Sequence, residues 1–130
     1  MSVTNGMFKI NDLVLPYPDK GLKTARQQLV DSARNAQGEV VAQKINRRLI
    51  KLEGLSWKYL PTATWSAILN EIEKFEGLLT FYDARTRSFI TRRVYWGDAT
   101  DEPWEINPAT GEVLVYMNCQ CNIIDMGYED

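Results

Sequence analysis

Cys119 and Cys121, flanking Gln120, are the nearest thing in this chain to a reactive motif. Two thiols at i and i+2 on one strand face can bind a soft metal or work as a redox pair, because the thiolate is both nucleophile and ligand. A structural zinc needs four ligands, and this stretch supplies two. The chain has no histidine. That removes the commonest general base and metal ligand, and with it the Ser/His/Asp and Cys/His nucleophile systems. Both cysteines are therefore expected to be small apolar residues pointing into a core, as free cysteine often is.

Paired carboxylates can do acid–base work. Asp98, Asp101, Glu102 and Glu105 cluster in one segment, and Asp125, Glu129 and Asp130 in another. Perturbed carboxylates need burial or a charged partner. These acids fall in stretches read as loops, so they are expected to be solvated. No glycine-rich phosphate loop is present. The residues therefore assign no catalytic role, no cofactor and no metal, and the chain is not expected to be an enzyme.

The basic doublets Arg47-Arg48 and Arg92-Arg93, with Lys44, Lys51, Lys58, Arg85 and Arg87, are placed to form a band across neighbouring strands. In a chain of net charge −2 such a band is expected to pair with acids of another subunit or of its own sheet. A dedicated nucleic-acid domain is normally basic. Tyr82, Tyr95 and Trp96 would be the stacking candidates if there were one. The candidate subunit-contact residues are Arg47, Arg48, Arg92, Arg93, Trp96, Asn118, Gln120 and Asn122.

These residues need long strands to hold them. Val113, Val115, Met117, Cys119, Cys121 and Ile123 are apolar at every odd position, with Asn118, Gln120 and Asn122 opposite. A period of two is the signature of a half-buried strand. Residues 7–15 read as one or two short strands closed by Pro16 and Pro18, and 22–30 as a strand. The stretch from Asp31 to Gly38 is rich in turn formers. Residues 39–60 form a long extended segment whose apolar phase shifts after Arg48, which predicts a bulge. Trp65, Ile68, Leu69, Ile72 and Phe75 make a 3.6-residue stripe and predict one helix over about 62–76. Thr62 or Thr64 is its expected N-cap, with Gly77 as the left-handed residue after its end. Residues 78–83 and 89–96 form a hairpin around residues 84–87. Residues 98–112 read as a loop before the final strand.

At 130 residues the chain is expected to be one domain, large enough to bury a core without disulfides or metal. Apolar content of 45% and charged content of 25% are ordinary for a globular protein. Residues 1–10 lack a basic start followed by an apolar run, so synthesis in a cytoplasm is expected. No apolar run is long enough to cross a membrane as a helix, and no membrane partner is expected.

Four parts, in order, resemble small tail proteins of long-tailed bacteriophages and prophages. They are the Asp31 to Gly38 segment between extended stretches, and the Lys/Arg-rich strand with Leu55, Ser56 and Trp57 leading to the helix. The third is the hairpin ending in Val94, Tyr95, Trp96, Gly97 and Asp98, and the last is the closing strand ending in Asn122, Ile123, Ile124 and Asp125. The resemblance implies the tail-tube and distal-tail fold over residues 1–130: mainly β with one helix, two packed antiparallel sheets forming a barrel-like sandwich flanked by that helix. It also implies a ring, hexameric in such proteins, whose sheets join across subunits around a channel that DNA passes through transiently. Other phage tail proteins would be its partners, in a virion tail assembled in the bacterial host. The chain has no long insertion to grip a receptor-binding protein, which favours a ring of the tube or its ends. The rival readings are a small β-barrel module that binds a ligand or carbohydrate through Trp96 and Trp104, and an enzyme built on loop carboxylates.

Overall fold

The computed structural model describes residues 6–128. It has eight strands and one helix: β1 (Phe8–Ile10), β2 (Leu13–Leu15), β3 (Lys23–Arg34), β4 (Val40–Pro61), α1 (Thr62–Glu73), β5 (Glu76–Asp83), β6 (Ser88–Trp96), β7 (Thr100–Ile106) and β8 (Val113–Asp125). The mainly-β architecture with one mid-chain helix is as the residues predict. Every strand pairing is antiparallel. One hydrogen-bonded path runs β2-β1-β5-β6-β8-β4-β3, and its ends do not meet. β7 joins β8 beside β6.

β8 organises the rest. Its last residues pair with β6, from Val94 opposite Asp125 to Trp96 opposite Ile123. The same edge then passes to β7, from Thr100 opposite Gln120 to Ile106 opposite Val113. β6 and β7 thus form one bent ribbon along β8, and the segment expected to be a loop over 98–112 is a strand in its first half. Pro103 inside it hid that strand; proline is tolerated in an edge strand because no neighbour needs its missing N–H. The period-two alternation of β8 is strict from Asn118 onward, with Cys119, Cys121, Ile123 and Asp125 buried. It breaks at Asn118, whose φ is +51°, so Tyr116 and not Met117 packs against the core.

β4 is 22 residues long, and at about 3.3 Å per residue would span some 70 Å if straight. It bends twice instead. The pairing slips between Gln27 and Leu29, which places extra β4 residues around Arg47-Arg48, where the phase shift predicts a bulge. It slips again between Leu52 and Leu55 on β8, where Gly54 takes φ +71°. A Cβ on Gly54 would lie 3.0 Å from the carbonyl oxygen of Gly21, so this site combines a left-handed backbone with contact against a backbone atom. Gly54→Ala is expected to cost about 1–3 kcal/mol, seen as a lower urea midpoint with an unchanged slope.

The core is built from β1, β2, β4, α1, β5, β6 and β8: Ile10, Leu15, Leu52, Leu55, Trp65, Ile68, Phe81, Val94, Cys119 and Ile123 are among its most buried residues. β3 and β7 contribute no fully buried hydrophobic residue. Trp57 and Trp65 meet at 6.3 Å, and the Trp57 indole donates to the Pro16 carbonyl at 3.1 Å, closing α1 and the β2 exit over the sheet. The helix ends differ from expectation. Thr62 is the first helical residue, and its hydroxyl donates to the Val113 carbonyl instead of capping. Phe75, at φ +67°, is the left-handed residue after the helix. Gly77 serves close approach instead, because a Cβ there would fall 2.9 Å from the Asn11 amide. Phe75 leaves the apolar stripe and stacks on Tyr95 at 5.4 Å.

Candidate assembly surface

A two-stranded arm leaves the sheet where β4 parts from β8. β8 pairs only with residues 51–61 of β4, whereas β3 pairs with β4 back to Val40. Beyond Lys51 the β3–β4 ribbon therefore has no strand on either side among the described residues. The predicted turn starts later than expected: Asp31, Ser32, Ala33 and Arg34 belong to β3. The tip is closed by Asn35, whose Oδ1 accepts from the N–H groups of Gln37 and Glu39 at 3.0 Å each. Gly38 supplies φ +84°, and its carbonyl accepts from Arg34 at 2.7 Å. These bonds close the tip, and the ribbon behind it packs on little. Leu29, Val30 and Val40 are 51%, 51% and 58% exposed.

Two ion pairs hold the arm's base. Arg47 on β4 grips Asp125 at the end of β8 with bonds of 2.5 and 2.9 Å, and also donates to the Tyr128 carbonyl at 2.7 Å. Asp125 further accepts from the N–H groups of Ile50 and Gly127 at 3.2 and 2.8 Å. Arg26 on β3 meets Asp83 at the end of β5 at 2.9 Å, and Asp83 also accepts from the hydroxyl and N–H of Thr86. Burial pushes both carboxyl groups up, but the guanidinium and N–H donors outweigh it, and both sit below the ordinary aspartate value. The expectation that Asp125 is a solvated terminal acid is thus corrected. It is fully buried because an arginine from the arm reaches it, and nothing in its local sequence announces that.

Between the arm and the β5–β6 hairpin lies a cleft of about 720 Å³, lined by Arg26, Arg47, Arg48, Arg85 and Arg92 with Asp83, Gln28, Val30, Ala42 and Ile50. It continues the core side of the sheet, since Ile50 and Leu52 share a face at period two. The Arg47-Arg48 doublet and Arg92, far apart in the chain, are brought together here. Arg26 was not singled out from the sequence, because a lone arginine in a polar strand carries no pattern. Lys44, in the expected basic band, has its side chain outside the described residues.

The other candidates lie elsewhere. Arg93 faces Glu76 across the β5–β6 pairing at 3.8 Å. Trp96 is in the core, 4% exposed, with its indole N–H buried and lacking an acceptor among the described residues. Asn118 and Gln120 are exposed and Asn122 half-buried, on the side of β8 away from Cys119 and Cys121. The Asn118 amide donates to Glu102 at 3.3 Å. Gln120 and Asn122 line a smaller depression of about 210 Å³ with Gly54, Asp98 and Thr100. The basic and amide sets are therefore two surfaces.

The thiols behave as their phase predicts. Both cysteines are buried. Burial pushes Cys119 up to about 11, with the Asp101 charge adding to it, and burial pushes Cys121 to about 12, with Cys119 adding. Thiols held that far up are poor nucleophiles. Among the described residues no group of three or more acids and cysteines is placed to hold a metal ion. Among the described residues no helix is long and apolar enough to cross a membrane.

Comparison with family models, curated proteins and solved structures finds no match.

Proposed function

We propose that this protein is a non-enzymatic structural component of a bacteriophage or prophage tail, forming a ring in or at the end of the tail tube or baseplate around the DNA path. The observation that carries the assembly reading is the β3–β4 arm. A two-stranded ribbon is marginal in water on its own. An edge strand of 12 residues offers a long row of unpaired N–H and C=O groups. Proteins ordinarily shorten or cover such an edge, and this chain extends it and sets Leu29, Val30 and Val40 along it. That arrangement suits strands shared between subunits, and closed rings remove the edges altogether. The tail assignment itself rests on the resemblance of the sequence parts named above.

A second reading has one observation in its favour. Tyr59 and Trp104 lie 5.6 Å apart at 46° on the surface, an aromatic pair of the kind that stacks on sugar rings. A monomeric carbohydrate- or ligand-binding module would use that pair and leave the arm unexplained. The test is mass in solution by light scattering after gel filtration, over a concentration series, with negative-stain images of the same fractions. Rings or a discrete oligomer near six subunits are expected. A monomer at every concentration would transfer the assignment to the binding module.

A further inference from the structure

Charge is divided unevenly along the chain. All 15 lysines and arginines lie before Gly97, whereas the part from Gly97 onward carries eight of the 17 acids and no base. The fold turns this into two surfaces. The acids Asp98, Asp101, Glu102, Glu105 and Glu112 sit on and beside β7, and all are exposed. None of the five is in an ion pair among the described residues. Two have neutral donors instead, Asp101 from the Trp65 indole at 2.7 Å and Glu102 from Asn118. The arginines converge on the cleft at the arm's base, where Arg48 and Arg85 are likewise in no ion pair among the described residues.

The two surfaces match in more than charge. Each pairs exposed apolar side chains with its charges: Leu29, Val30 and Val40 along the arm, and Trp104, Ile106 and Leu114 around β7. They cannot meet within one chain. Glu105 lies opposite Val115, and Glu112 precedes Val113 at the start of β8, whereas the cleft is anchored at Asp125, the end of that strand. Twelve residues at about 3.3 Å put roughly 40 Å between those ends.

We propose that the acidic β7–β8 hairpin of one copy seats in the arginine cleft of a second copy, with Glu105 and Glu112 meeting Arg48 and Arg85. This rests on the ring reading above and names its contact. The two patches differ, so the contact is head-to-tail, the type that closes into a ring when the rotation allows and otherwise runs on as a filament. β7 is suited to the role, being fully exposed and edge-placed, with Pro103 limiting random pairing along it.

The test uses the full chain with two charge-reversed variants, Arg48→Glu with Arg85→Glu, and Glu105→Lys with Glu112→Lys. Folding of each is checked by circular dichroism. Each alone is expected to need roughly 100-fold more protein to assemble, since like charges placed together cost several kcal/mol and each 1.4 kcal/mol is tenfold. An equimolar mixture is expected to assemble again, because each variant then offers the surface the other lacks, in an alternating oligomer. If both variants assemble like the unmodified chain, the contact is wrong while the ring reading stands. If folded variants fail to restore assembly on mixing, the two surfaces do not face each other. Loss of binding to a DNA oligonucleotide by the cleft variant, with assembly intact, would make the cleft a nucleic-acid site instead. A monomeric unmodified chain at every concentration would overturn both the contact and the ring.

Discussion

A chain in which residues 31–43 are replaced by Asn-Gly should stay folded and stay monomeric at concentrations where the full chain assembles. The pairing of Val30 with Lys44 sets this design, because it leaves those residues flanking a two-residue turn of the type Asn-Gly favours. Every described side chain removed is exposed, so none of these belongs to the core. Thermal unfolding should therefore move by no more than a few degrees, about 1 kcal/mol or less for this size. Assembly should require at least roughly 100-fold more protein, because the outer end of the longest open edge and the exposed Val40 are gone together. A truncated chain that assembles normally would remove the arm from the account.

The second large effect is on stability. Asp125→Ala removes the carboxylate partner of Arg47, whose side chain is only 24% exposed, and deprives the N–H groups of Ile50 and Gly127 of their acceptor. Breaking a buried pair by removing one partner costs more than the pair contributes, and here about 2–4 kcal/mol is expected. That corresponds to roughly 10 °C in the melting midpoint. Asp125→Asn keeps an acceptor for the N–H groups and should lose less. The pH dependence follows the same residues. Asp83 and Asp125 are both depressed in the folded chain, so their contribution is fully present above the unfolded aspartate value, about 3.9, and is lost as pH falls through the lower folded values. Stability should drop steeply below about pH 4, and the double variant Asp83→Asn with Asp125→Asn should flatten that slope. Denaturant midpoints from pH 7 to pH 3 measure both.

Local pattern was enough to read the helix, the β5–β6 hairpin and the later half of β8 from the residues, because each has a buried face and a clear period. Trp65 and Ile68 are buried at i and i+3, and Cys119, Cys121 and Ile123 alternate as their types require. The bulge at Arg47-Arg48 was legible for the same reason, as a change of apolar phase. β7 was not, since a strand exposed on both faces has no alternation to betray it, and its proline and acids read as loop. The helix end was misplaced because Phe75 takes the left-handed conformation normally left to glycine. Of the candidate surface, three arginines of the cleft were named from their doublets, Arg47, Arg48 and Arg92. Their convergence with Arg26 and Arg85 depends on strand order, which no doublet encodes. Trp96 is expected among the subunit-contact residues, and its actual place in the core is set by the pairing of β6 with β8.

In the proposed assembly a second copy covers the arm. Amide hydrogen exchange across residues 23–50, compared between a dilute sample and one concentrated enough to assemble, tests this most directly. Unpaired edge groups exchange fast, and pairing or burial slows them. Protection should rise in β3 and the first half of β4 on assembly, while β1 and β5, already held in the core, stay unchanged. An arm that exchanges equally fast in the monomer and in a mass-verified oligomer would contradict the account, whatever the oligomer's shape.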